Sequence, residues 1–139
     1  MTLQAVLLPL FVHVLLTFAL MFLMAYLRFG AINGGAVRVE EIALREPKWP
    51  RRATQAAYSF QNQFEIPVLF YVLTILAWMT KQADLLFVVM AWIFVALRIV
   101  QAAIHVTSNV VQQRGLAFAA GAVVLVIMWL IFIVRILAS

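Results

Sequence analysis

The chain of 139 residues contains no cysteine and few charges, with Asp, Glu, Lys and Arg making up only 11% of it. Without cysteine, neither a disulfide framework nor a thiolate metal site can form. His13 and His105 fall in different segments, and neither has a ligand-type partner four residues on, which argues against a metal centre. A glycine-rich phosphate loop is missing, and no second carboxylate stands near Glu65 for paired acid and base work. These gaps set soluble-enzyme chemistry aside.

Apolar residues are abundant instead. They form 67% of the chain, and the mean hydropathy is +1.08. A soluble domain of this length could not hide so much apolar surface, because small domains leave a large share exposed. Lipid is therefore the solvent implied for most of it.

Four apolar stretches are long enough to cross a bilayer, at 4–28, 53–80, 83–107 and 114–137. The first is too long for the core of a cleaved signal and has no basic region before it, so it reads as a retained membrane helix. The second and third spans are joined only by Lys81, Gln82, Ala83 and Asp84, which makes them antiparallel neighbours. In the fourth, Gly115 with Ala119 and Ala117 with Gly121 have the spacing of small residues that lets helices approach closely. The fold class is an all-α integral membrane protein, a single domain of four transmembrane helices in an antiparallel bundle.

The polar connection 29–52 is the one long loop. Asn33, Gly34 and Gly35 signal a turn, and VRVEEIALRE reads as a short interfacial helix that Pro47 and Pro50 stop. Six of the ten Lys and Arg residues (Arg28, Arg38, Arg45, Lys48, Arg51 and Arg52) fall between 28 and 52. Beside membrane spans such a cluster records orientation and contact with anionic lipid heads rather than nucleic-acid binding. Arg114 joins them on the same side, against Lys81 and Arg135 on the other. The positive-inside rule then places loops one and three in the cytoplasm and both termini outside.

The stretch YSFQNQFEIP, Tyr58 to Pro67, interrupts this apolar background with Tyr58, Gln61, Asn62 and Glu65. A carboxylate deep in hydrocarbon costs about 2.5 to 3.5 kcal/mol on insertion scales, so it is usually paired, shielded and functional. On a continuous second helix Tyr58, Asn62 and Glu65 lie at depths of about 6, 12 and 17 Å. On the third helix His105, Gln101 and Arg98 lie at about 5, 11 and 15 Å. Three- and four-residue steps keep each set on one face. The spacing predicts a polar ladder with a buried Glu65–Arg98 ion pair. Pro67 removes the donor for the Gln63 carbonyl and predicts a kink beside the ladder. His13, with Thr17 one turn on, is expected to be neutral and hydrogen-bonded to Thr17 or to a neighbouring helix.

Three functions suit such a ladder: a polar cavity that takes a ligand, a frame that only fixes register or binds lipid without chemistry, and a proton-coupled site in a small transporter. A full ion pair is a poor way merely to fix register, because breaking even is a good outcome for a buried salt bridge. The cavity therefore ranks first.

Asn62-Gln-Phe-Glu65 followed by Pro67, together with Arg98 and then Arg114 at the mouth of the fourth helix, resembles the MAPEG proteins, membrane-associated proteins in eicosanoid and glutathione metabolism. QNQFEIPVLFYVL resembles the bacterial branch of that family. The resemblance implies a homotrimer in the bacterial inner membrane with glutathione, as co-substrate, bound at subunit boundaries that open to the cytoplasm. It implies a transferase or peroxidase acting on a lipophilic small molecule. Carried over by position, Glu65 and Asn62 bind the peptide part of glutathione, Arg98 supports the pocket, and Arg114 stabilises the thiolate. Gln101, His105 and Tyr58 complete the ladder, and Arg51 and Arg52 reach in from the loop. The chain departs from the family pattern at Tyr58 and Gln61, where family enzymes carry arginines, and at His105, where they carry an aromatic hydroxyl.

Overall fold

A computed structural model describes residues 1–43 and 48–139. The described chain is helical throughout, and four segments are long and apolar enough to cross a membrane: Leu3–Asn33, Arg51–Met79, Leu85–Val106 and Val111–Leu137. The protein is an integral membrane protein built as a four-helix bundle.

Helix α1, Leu3–Asn33, begins where the Thr2 hydroxyl accepts from the Ala5 amide at 3.1 Å. It runs beyond the predicted end near residue 28, because nothing breaks it before Gly34 and Gly35. Gly35 turns the chain at φ +76°, a conformation that favours a residue without a side chain. Of the predicted interfacial helix, the described residues form one 3₁₀ turn at Val39–Ile42. Arg45 and Pro47 lie outside the described residues.

The second span is two helices rather than one. Helix α2, Arg51–Asn62, is mostly polar, and α3, Ile66–Met79, is almost wholly apolar. Between them Gln63, Phe64 and Glu65 are held by tight turns, with amides donating to Phe60, Gln61 and Asn62 carbonyls at 3.1 to 3.3 Å. Pro67 has no amide to offer Gln63, so the α-helical ladder ends there as the sequence predicts, though as a full break.

Helices α4, Leu85–Val106, and α5, Val111–Leu137, follow. The Asp84 carboxylate caps α4 by accepting from the Phe87 amide at 3.0 Å and pairs with Arg135 on α5 at 2.9 Å. Helix α1 packs on α2, α3 and α4, while α5 packs on α4 and α3. Phe70, Leu73, Phe87, Ala91, Phe94, Leu125 and Met128 form the apolar core in the half of the bundle away from α2. Of the two small-residue pairs, only Ala117 and Gly121 are buried, and Gly121 lies against Leu97, Arg98 and Phe94 of α4. Gly115 faces open space.

Candidate functional site

Above the core, where α2, α4 and the start of α5 meet, lies an open cleft of about 650 Å³ lined by Tyr58, Gln61, Asn62, Glu65, Gln101, His105, Arg114, Gly115 and Phe118. Three elements build it. Polar α2 and the turn after it supply the first four residues, the last turns of α4 supply Gln101 and His105, and α5 supplies the rest. Gln101 Oε1 and His105 Nδ1 are buried without a hydrogen-bond partner in the protomer. Buried polar atoms are seldom left so, and both residues border a cleft able to supply one.

The structure brings together seven of the polar residues singled out from the sequence: Tyr58, Gln61, Asn62, Glu65, Gln101, His105 and Arg114. Arg98 is elsewhere. It is only 1% exposed, and its Nη2 donates to the Asn62 carbonyl at 3.4 Å and to Gln63 Oε1 at 3.3 Å. The predicted Glu65–Arg98 ion pair does not form. The physical reason lies at the break in the second span: the guanidinium is taken up there by the Asn62 carbonyl and the Gln63 side chain, and Glu65, outside both helices, forms no salt bridge with it. Glu65 is instead an exposed residue at the start of α3. Arg51 and Arg52 are exposed at the start of α2 and do not line the cleft.

Residues not singled out for the site also shape it. Gln63 is buried and bridges the break, donating to the Ser59 carbonyl at 2.9 Å while accepting from Arg98. Its signal was its place in a polar run just before Pro67. Asn109 accepts from Arg114 Nη1 at 2.6 Å. Below, fully buried His13 shares a hydrogen bond through Nδ1 with the Tyr71 hydroxyl of α3, and Thr17 donates to the His13 carbonyl at 3.1 Å. The neighbouring-helix partner expected for His13 is thus Tyr71.

Chemically, the cleft offers one carboxylate, one guanidinium and several neutral donors and acceptors at the depth of a membrane span. That set suits a small zwitterionic or anionic molecule rather than lipid tails. A second groove, wholly apolar and of about 430 Å³, starts at Ile66 beside Glu65 and runs down between α3 and α5 past Ala122 to Trp129 and Ile133.

Bundle and cleft together define a class, four-helix integral membrane proteins with a polar cleft inside the membrane-spanning region. Within that class the chain belongs to the MAPEG family, whose sequence profile matches residues 6–134. Searches of curated proteins and of solved structures give no match.

Proposed function

We propose that the protein binds glutathione in this cleft and transfers it to a lipophilic electrophile, as a homotrimer whose subunit boundaries close over the site. The observation that carries the reading is the gathering of Asn62, Glu65 and Arg114 around one cavity, beside an apolar groove. Glutathione carries an ammonium, two carboxylates and a thiol. Glu65 complements the ammonium and Asn62 hydrogen-bonds the peptide. Arg114 favours the thiolate, the form that attacks, because a neighbouring cation lowers the energy of the ionised sulfur. The electrophile arrives through lipid along the groove, so the pocket's task is proximity and charge stabilisation.

The same face supports the assembly part of the reading. Tyr58 is 55% exposed and Glu65 is exposed at membrane depth, which in lipid leaves polar groups facing hydrocarbon. A second copy covers them and supplies further donors. With loops one and three cytoplasmic by the positive-inside rule, the cleft opens to the cytoplasm of a bacterial inner membrane.

Calorimetry of glutathione against detergent-purified protein tests this. Saturable binding that weakens at least about tenfold in Glu65→Gln and in Arg114→Ala is expected, since each removes a charge-assisted contact worth about 1.5 to 3 kcal/mol. Absence of binding up to millimolar glutathione would overturn the reading. Conjugation of a generic electrophile by the wild type, lost in Arg114→Ala, separates an enzyme from a binder. Binding without turnover is the second reading, because Arg114 is the only cation lining the protomer's cleft among the described residues.

A further inference from the structure

Helices α4 and α5 are joined by a turn built around Asn109. This residue has φ +51°, in the left-handed region that asparagine tolerates better than most side chains. Its amide donates to the Ile104 carbonyl at 2.7 Å, closing the end of α4. From that fixed backbone its side-chain oxygen reaches forward to Arg114 Nη1 at 2.6 Å. Arg114 is half-buried, and its own amide donates to the Val110 carbonyl at 2.9 Å in the first turn of α5. No salt bridge to Arg114 is present among the described residues.

We propose that Asn109 is the positioning residue of Arg114: a neutral anchor that fixes one guanidinium nitrogen so the other N–H groups point into the cleft with their charge uncancelled. A free arginine has much side-chain rotamer entropy to lose, and ordering it only on ligand arrival would weaken the contact. A carboxylate anchor would order it equally well but would neutralise the charge meant for an anion. A carboxamide does the first without the second. Asparagine also suits the positive φ that aims the anchor, so one residue closes the turn and sets the side chain. The inference rests on the glutathione reading only for the identity of the anion.

The test has two arms in the full-length protein in detergent. In the first, nitrogen NMR of arginine side chains follows the Arg114 signal, assigned by its loss in Arg114→Ala. Asn109→Gly keeps the backbone conformation and removes the anchor, so the Arg114 guanidinium is expected to change from restricted to freely rotating. Unchanged restriction in Asn109→Gly would overturn the proposal whether or not glutathione binds. In the second arm, glutathione affinity and the ultraviolet absorbance of its thiolate are measured in Asn109→Gly and Asn109→Asp. Asn109→Gly should weaken binding about 3- to 10-fold, the range of one lost hydrogen bond. Asn109→Asp keeps Arg114 restricted in the first arm yet should lower affinity and thiolate fraction at least as far. Wild-type affinity in Asn109→Asp would refute the neutral-anchor argument. If the wild type binds no glutathione, the functional reading fails while the NMR arm still decides the role of Asn109.

Discussion

Arg98 shows what a single buried charge does when its partner differs from the one its spacing suggests. The guanidinium sits on the Asn62 carbonyl and Gln63 Oε1, and Gln63 in turn holds the Ser59 carbonyl. An ion pair with Glu65 would make either substitution destabilising. The observed contacts make only one of them so. Arg98→Met should lower stability by about 1.5 to 3 kcal/mol, the cost of losing hydrogen bonds to a charged donor and leaving their acceptors unpaired. Glu65→Gln removes no hydrogen-bond partner of Arg98 and should destabilise less than Arg98→Met. Thermal unfolding of both variants in one detergent decides between the two pairings; equal destabilisation would restore the ion pair. Gly115 permits a complementary experiment at the other side of the cleft, because a Cβ added there meets no atom within 4 Å. Gly115→Leu should therefore leave unfolding unchanged while it occupies the cleft and excludes glutathione, and a calorimetric titration checks the second half.

At the scale of elements, the division of the second span into polar α2 and apolar α3 makes the site. Pro67 withholds the amide that would have continued the ladder, and the chain turns so that Asn62 and Glu65 line the cleft while Arg98 donates to the Asn62 carbonyl and the Gln63 side chain. Pro67→Ala restores that donor. Its expected effect is a straighter second span with equal or higher thermal stability and weaker glutathione binding; unaltered affinity would mean the break does not position Glu65. The far end of the bundle depends on pH instead. Burial pulls the Asp84 carboxyl up, but the Phe87 amide and Arg135 outweigh it and hold it below its ordinary value. A depressed carboxyl stabilises the fold above its unfolded value and ceases to as pH falls through its folded value. The α4–α5 clasp should thus weaken only in acid, below the ordinary carboxylate range, and by no more than about 1 kcal/mol for so exposed a pair. An acid titration of unfolding in wild type and Asp84→Asn, converging at low pH, checks it.

These elements also show what a linear reading can reach. The four spans were legible because hydrocarbon imposes one strong rule on length and polarity, and the kink was legible because proline lacks an amide. The cleft residues of α2 and α4 were legible from their polarity at depth. The partners of Arg98 were not, because helical spacing assumes an unbroken helix, and the turn at the break offers the guanidinium the Asn62 carbonyl and the Gln63 side chain instead. Asn109 was not, because its role depends on a turn conformation that residue type only permits.

For the whole molecule, the surface of a single chain combines two kinds of face that a bilayer treats differently. Most of it is apolar and fit for lipid, yet α2 and the turn after it present Tyr58, Gln61 and Glu65 within a membrane span. Polar groups facing hydrocarbon each cost several kcal/mol unless protein or water satisfies them. A second copy of the chain, offering the same mixture of surfaces under rotational symmetry, is the simplest source of protein cover. Because the chain has no cysteine, a single introduced thiol reports without background. Tyr58→Cys, treated in native membranes with a short bifunctional thiol reagent, should give cross-linked dimers. Native mass spectrometry of the unmodified protein should give a trimer. If the Tyr58→Cys variant stays monomeric and its thiol reacts freely with a lipid-soluble reagent, α2 faces lipid, and the boundary-site reading fails together with the closed pocket it was meant to provide.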